Sequence, residues 1–117
     1  MLLNKYIDHT ILKPTCLVAD IQKVCDEAKQ HAFAAVCVPP NFVKLAKELT
    51  AGSNVKVATV IGFPFGYSAT EAKIAEIILA MVDGADVLYV VANISSIKNG
   101  DWMAIADEIN HIMPVIR

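Results

Sequence analysis

The chain has 117 residues, of which 56% are hydrophobic and 19% charged, with a formal net charge of −2. These values fit one ordinary domain and exclude intrinsic disorder, and the slightly acidic balance argues against a nucleic-acid-binding surface. No apolar run reaches the ~18 residues of a membrane-spanning helix and the first residues lack a signal-peptide core, so we expect a cytoplasmic protein without membrane partners.

Apolar periodicity and turn residues predict that strands and helices alternate four times along the chain. The predicted elements are a strand at 7–12, a helix at 21–31, a strand at 33–38, a helix at 42–49, a strand at 55–61, a helix from 68 or 70 to 83, a strand at 85–94 and a helix at 102–113. This alternation is typical of βαβ units and therefore predicts a parallel sheet. Pro114 is expected to end the last helix, and 115–117 resembles the start of a fifth strand.

Cysteine and histidine spacing predicts neither a disulfide framework nor a metal site, and we expect no cofactor. Cys16, Cys25 and Cys37 are an odd set without CxxC spacing, and the three histidines are scattered. The glycine-rich phosphate-binding motifs of nucleotide-binding proteins are absent. Residues 62–66 (GFPFG) form a glycine-bounded turn that fits either a plain strand–helix connection or a turn presenting amides to an anion.

Four segments, one on each predicted strand, resemble deoxyribose-phosphate aldolase. They are YIDHTILKP at 6–14, AVCVPP at 35–40, VATVIGFP at 57–64, and GAD at 84–86 with the Asn93-Ile94 pair that follows. The resemblance covers essentially the whole chain. It implies a (β/α)₈ barrel, a fold that typically takes about 250 residues. The expected fold is therefore α/β: a single half-barrel domain over 1–117, with the first four βα units and a parallel four-stranded sheet flanked by helices.

The same resemblance implies class I aldolase chemistry, in which a lysine forms a Schiff base with 2-deoxy-D-ribose 5-phosphate. Asp8, Thr10 and Cys37 match positions that line the substrate pocket. The K-T-S-T-G-like motif that carries the Schiff-base lysine, and the later lysine that activates it, do not occur in the 117 residues.

The fourth strand departs from the family pattern G-A-D-E-[IVL]-D-x-V-x-N. Val87 replaces the glutamate, and Tyr89 replaces the aspartate that shuttles protons. The two-residue period of a strand places 87, 89, 91 and 93 on one side, expected to be the barrel interior. A phenol of ordinary pKa near 10 does not replace a carboxylate base at neutral pH. The catalytic set is therefore expected to be incomplete.

Several apolar side chains are interface candidates. They are Val87, Tyr89 and Val91 on the fourth strand, with Val57 as a further inward side chain, and Ile78, Leu79 and Met81 in the apolar run 77–82, which covers every direction around the axis of the third helix. An open sheet edge and a bare apolar face favour association. The favoured interpretation is a truncated, engineered half-barrel that forms a homodimer or small closed oligomer and is inactive. Two alternatives stay open: a class I aldolase with residual activity, and one half of a split aldolase.

Overall fold

Four short parallel strands form one sheet in sequence order, and helices follow them along the chain, as the α/β prediction requires. The computed structural model describes residues 2–117. Its elements are a 3₁₀ helix Leu3–Tyr6, β1 Asp8–Thr10, α1 Val18–His31, β2 Ala35–Val38, a 3₁₀ helix Pro40–Phe42, α2 Val43–Leu49, β3 Lys56–Ile61, α3 Thr70–Asp83, β4 Val87–Val90, α4 Ile94–Lys98 and α5 Trp102–Ile116. The half-barrel prediction for the fold is confirmed.

The two faces of the sheet bury different side chains. On the outer face, β2 and β3 pack against the helices: Val36, Val38 and Val57 join the apolar stripe of α1. A second outer cluster joins Ile61 to α3 and α5. The inner face holds a smaller cluster of Cys37, Ala58 and Val60, against which Leu12 packs.

The inner face differs from the expectation in two respects. Val57 lies on the outer face, so its predicted inward orientation is wrong; the alternation of β3 instead turns Ala58 and Val60 inward. The inner face of the central strands is also covered in the single chain, because Ala58 is fully buried and Cys37 is 3% exposed. Association is therefore not needed to shield these side chains.

The C-terminal segment is helical, so the predicted fifth strand at 115–117 is wrong. α5 continues through Pro114 to Ile116, and Val115 and Ile116 pack beside the outer cluster of α3 and β4. Pro114 lies in the last turn, where the loss of one N–H donor costs little because the partner carbonyl at exposed Asn110 is open to water. This apolar packing outweighs the helix-ending tendency of proline. No helix within residues 2–117 is long and apolar enough to cross a membrane.

The fourth strand is shorter than predicted because a helix begins soon after it. β4 ends at Val90, and Asn93 caps α4, its side-chain oxygen accepting the N–H groups of Ser95 (3.0 Å) and Ser96 (3.3 Å). Asparagine is among the favoured N-cap residues. The apolar run through Ile94 therefore contains a strand end and a helix start that periodicity alone does not separate.

Candidate functional site

The inner face of the sheet brings together the residues that sequence analysis placed in a substrate pocket. Asp8 and Thr10 lie on β1, and the register pairs Thr10 with Cys37 of β2 and Cys37 with Ala58 of β3. Asp8 and Thr10 share one face by strand alternation. The Thr10 hydroxyl donates to the Asp8 carbonyl at 3.1 Å. The three predicted pocket positions are thus neighbours, and their role in binding stays a prediction.

Tyr89 joins this group from the opposite edge of the sheet. Its hydroxyl donates a hydrogen bond to Asp8 Oδ2. Because the strand order is β1-β2-β3-β4, this contact between first and fourth strands crosses the inner faces of β2 and β3. Such a contact requires a strongly curved sheet, as in a barrel wall.

The hydrogen bond to Asp8 raises the pKa of Tyr89 to about 12, with burial and the charge of Asp8 acting in the same direction. The phenol is therefore neutral and acts as a donor at physiological pH, although 45% of the residue is exposed. A neutral phenol held on a carboxylate is not a general base. The position that the resemblance assigns to proton transfer has no basic group.

The thiol of Cys37 has low reactivity in this environment. Burial, reinforced by the negative charge of Asp8, raises its pKa to about 11. The thiolate is the reactive form of cysteine, so this thiol is a poor nucleophile at neutral pH. Across residues 2–117, no group of three histidine, cysteine, aspartate or glutamate side chains is arranged to hold a metal ion.

A buried ion pair lies near the C-terminal ends of β3 and β4, and sequence analysis did not find it. Lys73 of α3 is 1% exposed, and its ammonium donates to Glu108 Oε1 of α5 at 2.6 Å and to the Val91 carbonyl at 2.9 Å. The other oxygen of Glu108 accepts from the Thr70 hydroxyl at 3.0 Å. The sequence signal that could have predicted burial of Lys73 is its spacing of four residues from Ile77, which places both side chains on the same buried face of α3.

The glycine-bounded turn at 62–66 has a structural role in packing against this pair. A Cβ on Gly62, whose φ is +69°, would lie 2.8 Å from Lys73 Cε, and a Cβ on Gly66 would lie 2.2 Å from the Ala92 carbonyl oxygen. The Gly62 N–H donates to Glu76 Oε1 at 2.8 Å, and the Gly66 N–H donates to the Gly62 carbonyl. Since both glycine amides have acceptors within the chain, the connection interpretation fits better than the anion-binding one.

The interface candidates lie in two separate places. Ile78, Leu79 and Met81 are exposed on α3, which lies between α2 and α5. Val87 and Tyr89 are on the inner face near the open edge of the sheet and remain partly exposed. Val91 follows β4; its N–H bonds to the Ile61 carbonyl and its own carbonyl to Lys73. Their participation in an interface stays a prediction.

Comparison with known proteins agrees with this geometry. The family model of DeoC/LacD family aldolases matches residues 2–114. The chain belongs to this family. Its curated relatives include deoxyribose-phosphate aldolases from Mycoplasmopsis pulmonis (45% identical over 116 residues) and Brevibacillus brevis (49% over 109 residues).

Solved structures confirm the half-barrel. A putative deoxyribose-phosphate aldolase from Coccidioides immitis superimposes with a TM-score of 0.94 at 32% identity, covering 97% of this chain and 45% of that one. The two curated relatives are covered to 53% and 49% of their lengths. This DeoC/LacD family chain therefore spans about half the length of the relatives it matches.

Proposed function

We propose that this chain is a half-barrel member of the DeoC/LacD aldolase family, adapted by engineering or natural change for self-association, and that the 117 residues alone do not cleave 2-deoxy-D-ribose 5-phosphate. The observation that carries the proposal is the Tyr89–Asp8 hydrogen bond across the inner face. This bond holds a neutral phenol at the centre of the predicted pocket, where aldol chemistry needs a base.

The buried lysine near the ends of β3 and β4 is not a free amine. Lys73 is fully enclosed, and its ammonium is paired with Glu108 and directed to the outer side of the sheet with α3 and α5. An ammonium that donates its protons to a carboxylate and a carbonyl has no lone pair to attack an aldehyde. Lys73 therefore does not supply a Schiff-base amine, which supports inactivity independently of Tyr89.

Self-association is supported by the surface of the chain. The 12.7 kDa chain exposes 7263 Å², whereas a compact monomer of this mass is expected to expose about 6,200 Å². The excess of about 1,000 Å² is similar to the ~800 Å² that each partner buries in a standard protein–protein interface. We therefore propose a homodimer as the working state.

Two measurements test the proposal. Light scattering at several concentrations should give twice the monomer mass, and borohydride reduction with deoxyribose 5-phosphate should leave no lysine adduct by mass spectrometry. A strictly monomeric chain at hundreds of micromolar would overturn the association. A lysine adduct with matching turnover, lost on replacing that lysine, would overturn the inactivity.

A second candidate function is that of one half of a split aldolase. It is favoured by the retention of Asp8, Thr10 and Cys37 together on the inner face. Mixing the chain with the C-terminal half of the Brevibacillus brevis relative tests it, with the matching N-terminal half of that relative as the positive control. Activity in the control mixture alone is the result we expect, because Tyr89 would still occupy the site.

A further inference from the structure

The first three helices, α1 to α3, share one packing rule, and α5 departs from it. α1 contacts β1 and β2, and α2 contacts β2 and β3. α3 contacts β3, and its Ile77 packs in one cluster with Leu88 and Val90 of β4. Each of these helices therefore covers its own strand and the next one. α5 packs over β4 through Ile112, which shares a cluster with Leu88 and Val90, and no strand follows it within residues 2–117.

The position of the absent strand is an apolar groove of about 270 Å³ between β4 and α5. The residues that line it include Leu88 and Val90 from β4 and Ile105, Ile109, Ile112 and Met113 from α5. Ile109 is 51% exposed although its neighbour one turn away, Ile112, is 4% exposed. The groove thus continues the outer core of the sheet into solvent.

The opposite edge of the sheet, at β1, also has backbone groups that no neighbouring strand pairs. The Ile7 carbonyl accepts from the N–H of Ala34 at 2.9 Å, and the Ile11 N–H donates to the Cys37 carbonyl at 3.0 Å. Since alternate residues of a strand bond to opposite sides, the backbone groups of Asp8 and Thr10 point to the free edge. Within residues 2–117, β1 therefore has no strand paired to its outer edge, and α5 has no following strand beside it.

We propose that β1 of a second copy docks in parallel beside β4, below α5, and that the reciprocal contact closes an eight-stranded barrel. Three observations favour a second copy as the occupant. Four strands from each copy give eight, the number of the family barrel. The Tyr89–Asp8 contact gives each sheet strong barrel-like curvature, and the excess surface is similar to the area that one partner buries in a standard interface. This inference rests on the proposed self-association and specifies its surfaces.

The first test compares two charged substitutions on exposed helix positions. Ile109→Glu introduces a charge into the groove, and Leu79→Glu, at a position 61% exposed on α3, is the matched control. The buried, unpaired carboxylate should raise the dimer dissociation constant by at least about tenfold in Ile109→Glu. Leu79→Glu should leave it unchanged, and circular dichroism should show both variants folded. Dissociation by Leu79→Glu alone would overturn the seam but leave self-association intact.

The second test concerns the β1 edge. Thr10→Pro removes a backbone N–H that has no partner within residues 2–117. Its control is Thr10→Val, which also loses the hydroxyl but keeps this N–H. Under the proposal, Thr10→Pro weakens the dimer by at least about tenfold, since it removes a ladder hydrogen bond and blocks approach of the partner strand. A Thr10→Pro dimer as tight as Thr10→Val would overturn the β4–β1 seam. A monomeric parent chain would instead contradict the proposed function itself.

Discussion

Replacing Lys73 by methionine is expected to destabilise the fold more than any surface charge replacement. The substitution leaves Glu108, whose side chain is 14% exposed, without its cation and the Val91 carbonyl without its donor. Breaking a buried ion pair by removing one partner costs about 3–5 kcal/mol. Because an entire domain is stable by only about 5–15 kcal/mol, Lys73→Met should lose a large fraction of the free energy of unfolding.

Urea denaturation of four proteins measures this cost: the parent chain, Lys73→Met, Glu108→Gln and the double variant. The double variant should be less destabilised than the sum of the single ones, with a coupling of about 1–3 kcal/mol. Lys29→Met is the control, since the Lys29–Asp26 pair is 3.8 Å long and solvent-exposed, and should cost under about 1 kcal/mol. Equal effects of Lys73→Met and Lys29→Met, or additive effects of the two buried substitutions, would refute the reasoning.

Three further predictions follow from the ionisable groups. Ultraviolet absorbance titrations of the parent chain and of Tyr89→Phe should differ by one phenol that ionises near pH 12. Asp8→Asn should lower the midpoint of this ionisation, and a midpoint that Asp8→Asn does not move would contradict the hydrogen bond. Under native conditions Cys37 should alkylate much more slowly than Cys16, which lies in a loop and is only half-buried; equal rates would mean that the inner face is open. Burial opposes ionisation of Asp86, but hydrogen bonds from the Val57 N–H and Lys47 lower the pKa of this carboxyl below its ordinary 3.8. The ionised carboxylate therefore stabilises the folded chain. The free energy of unfolding lost in Asp86→Asn should be greatest at neutral pH and should shrink as the pH falls through the lowered pKa.

The order and type of the main elements could be predicted because local signals agree with the tertiary packing. The apolar stripe of α1 and the β-branched strand β2 each match the period of the element they form. Pro114 could not be placed in the same way. Its local tendency to end a helix is outweighed by the packing of Val115 and Ile116 against the outer core, a contact that depends on elements far away in sequence.

In the candidate site, too, some features could be predicted from the sequence and others could not. Matched segments located Asp8, Thr10 and Cys37 on neighbouring strands, because each segment lies on its own strand. The Lys73–Glu108 pair joins residues 35 positions apart on two helices, and neither residue type is distinctive at the surface of a helix. The bond from Tyr89 to Asp8 spans 81 positions and depends on the curvature of the sheet. Such contacts become visible only when the fold brings both ends together.

The identity of residue 89 links the absence of a base to the packing of the half-barrel. An aspartate at this position would place a second carboxylate near Asp8, and two neighbouring carboxylates oppose each other's ionisation. Tyrosine reverses the interaction: its hydroxyl supplies a donor to Asp8, from a position on β4 in register with Val60 of β3. Under the proposed function, the same replacement removes a proton-transfer group, and its hydrogen bond ties the first strand to the fourth. In the proposed dimer, this contact between the edge strands would maintain the curvature that closure with a second copy requires.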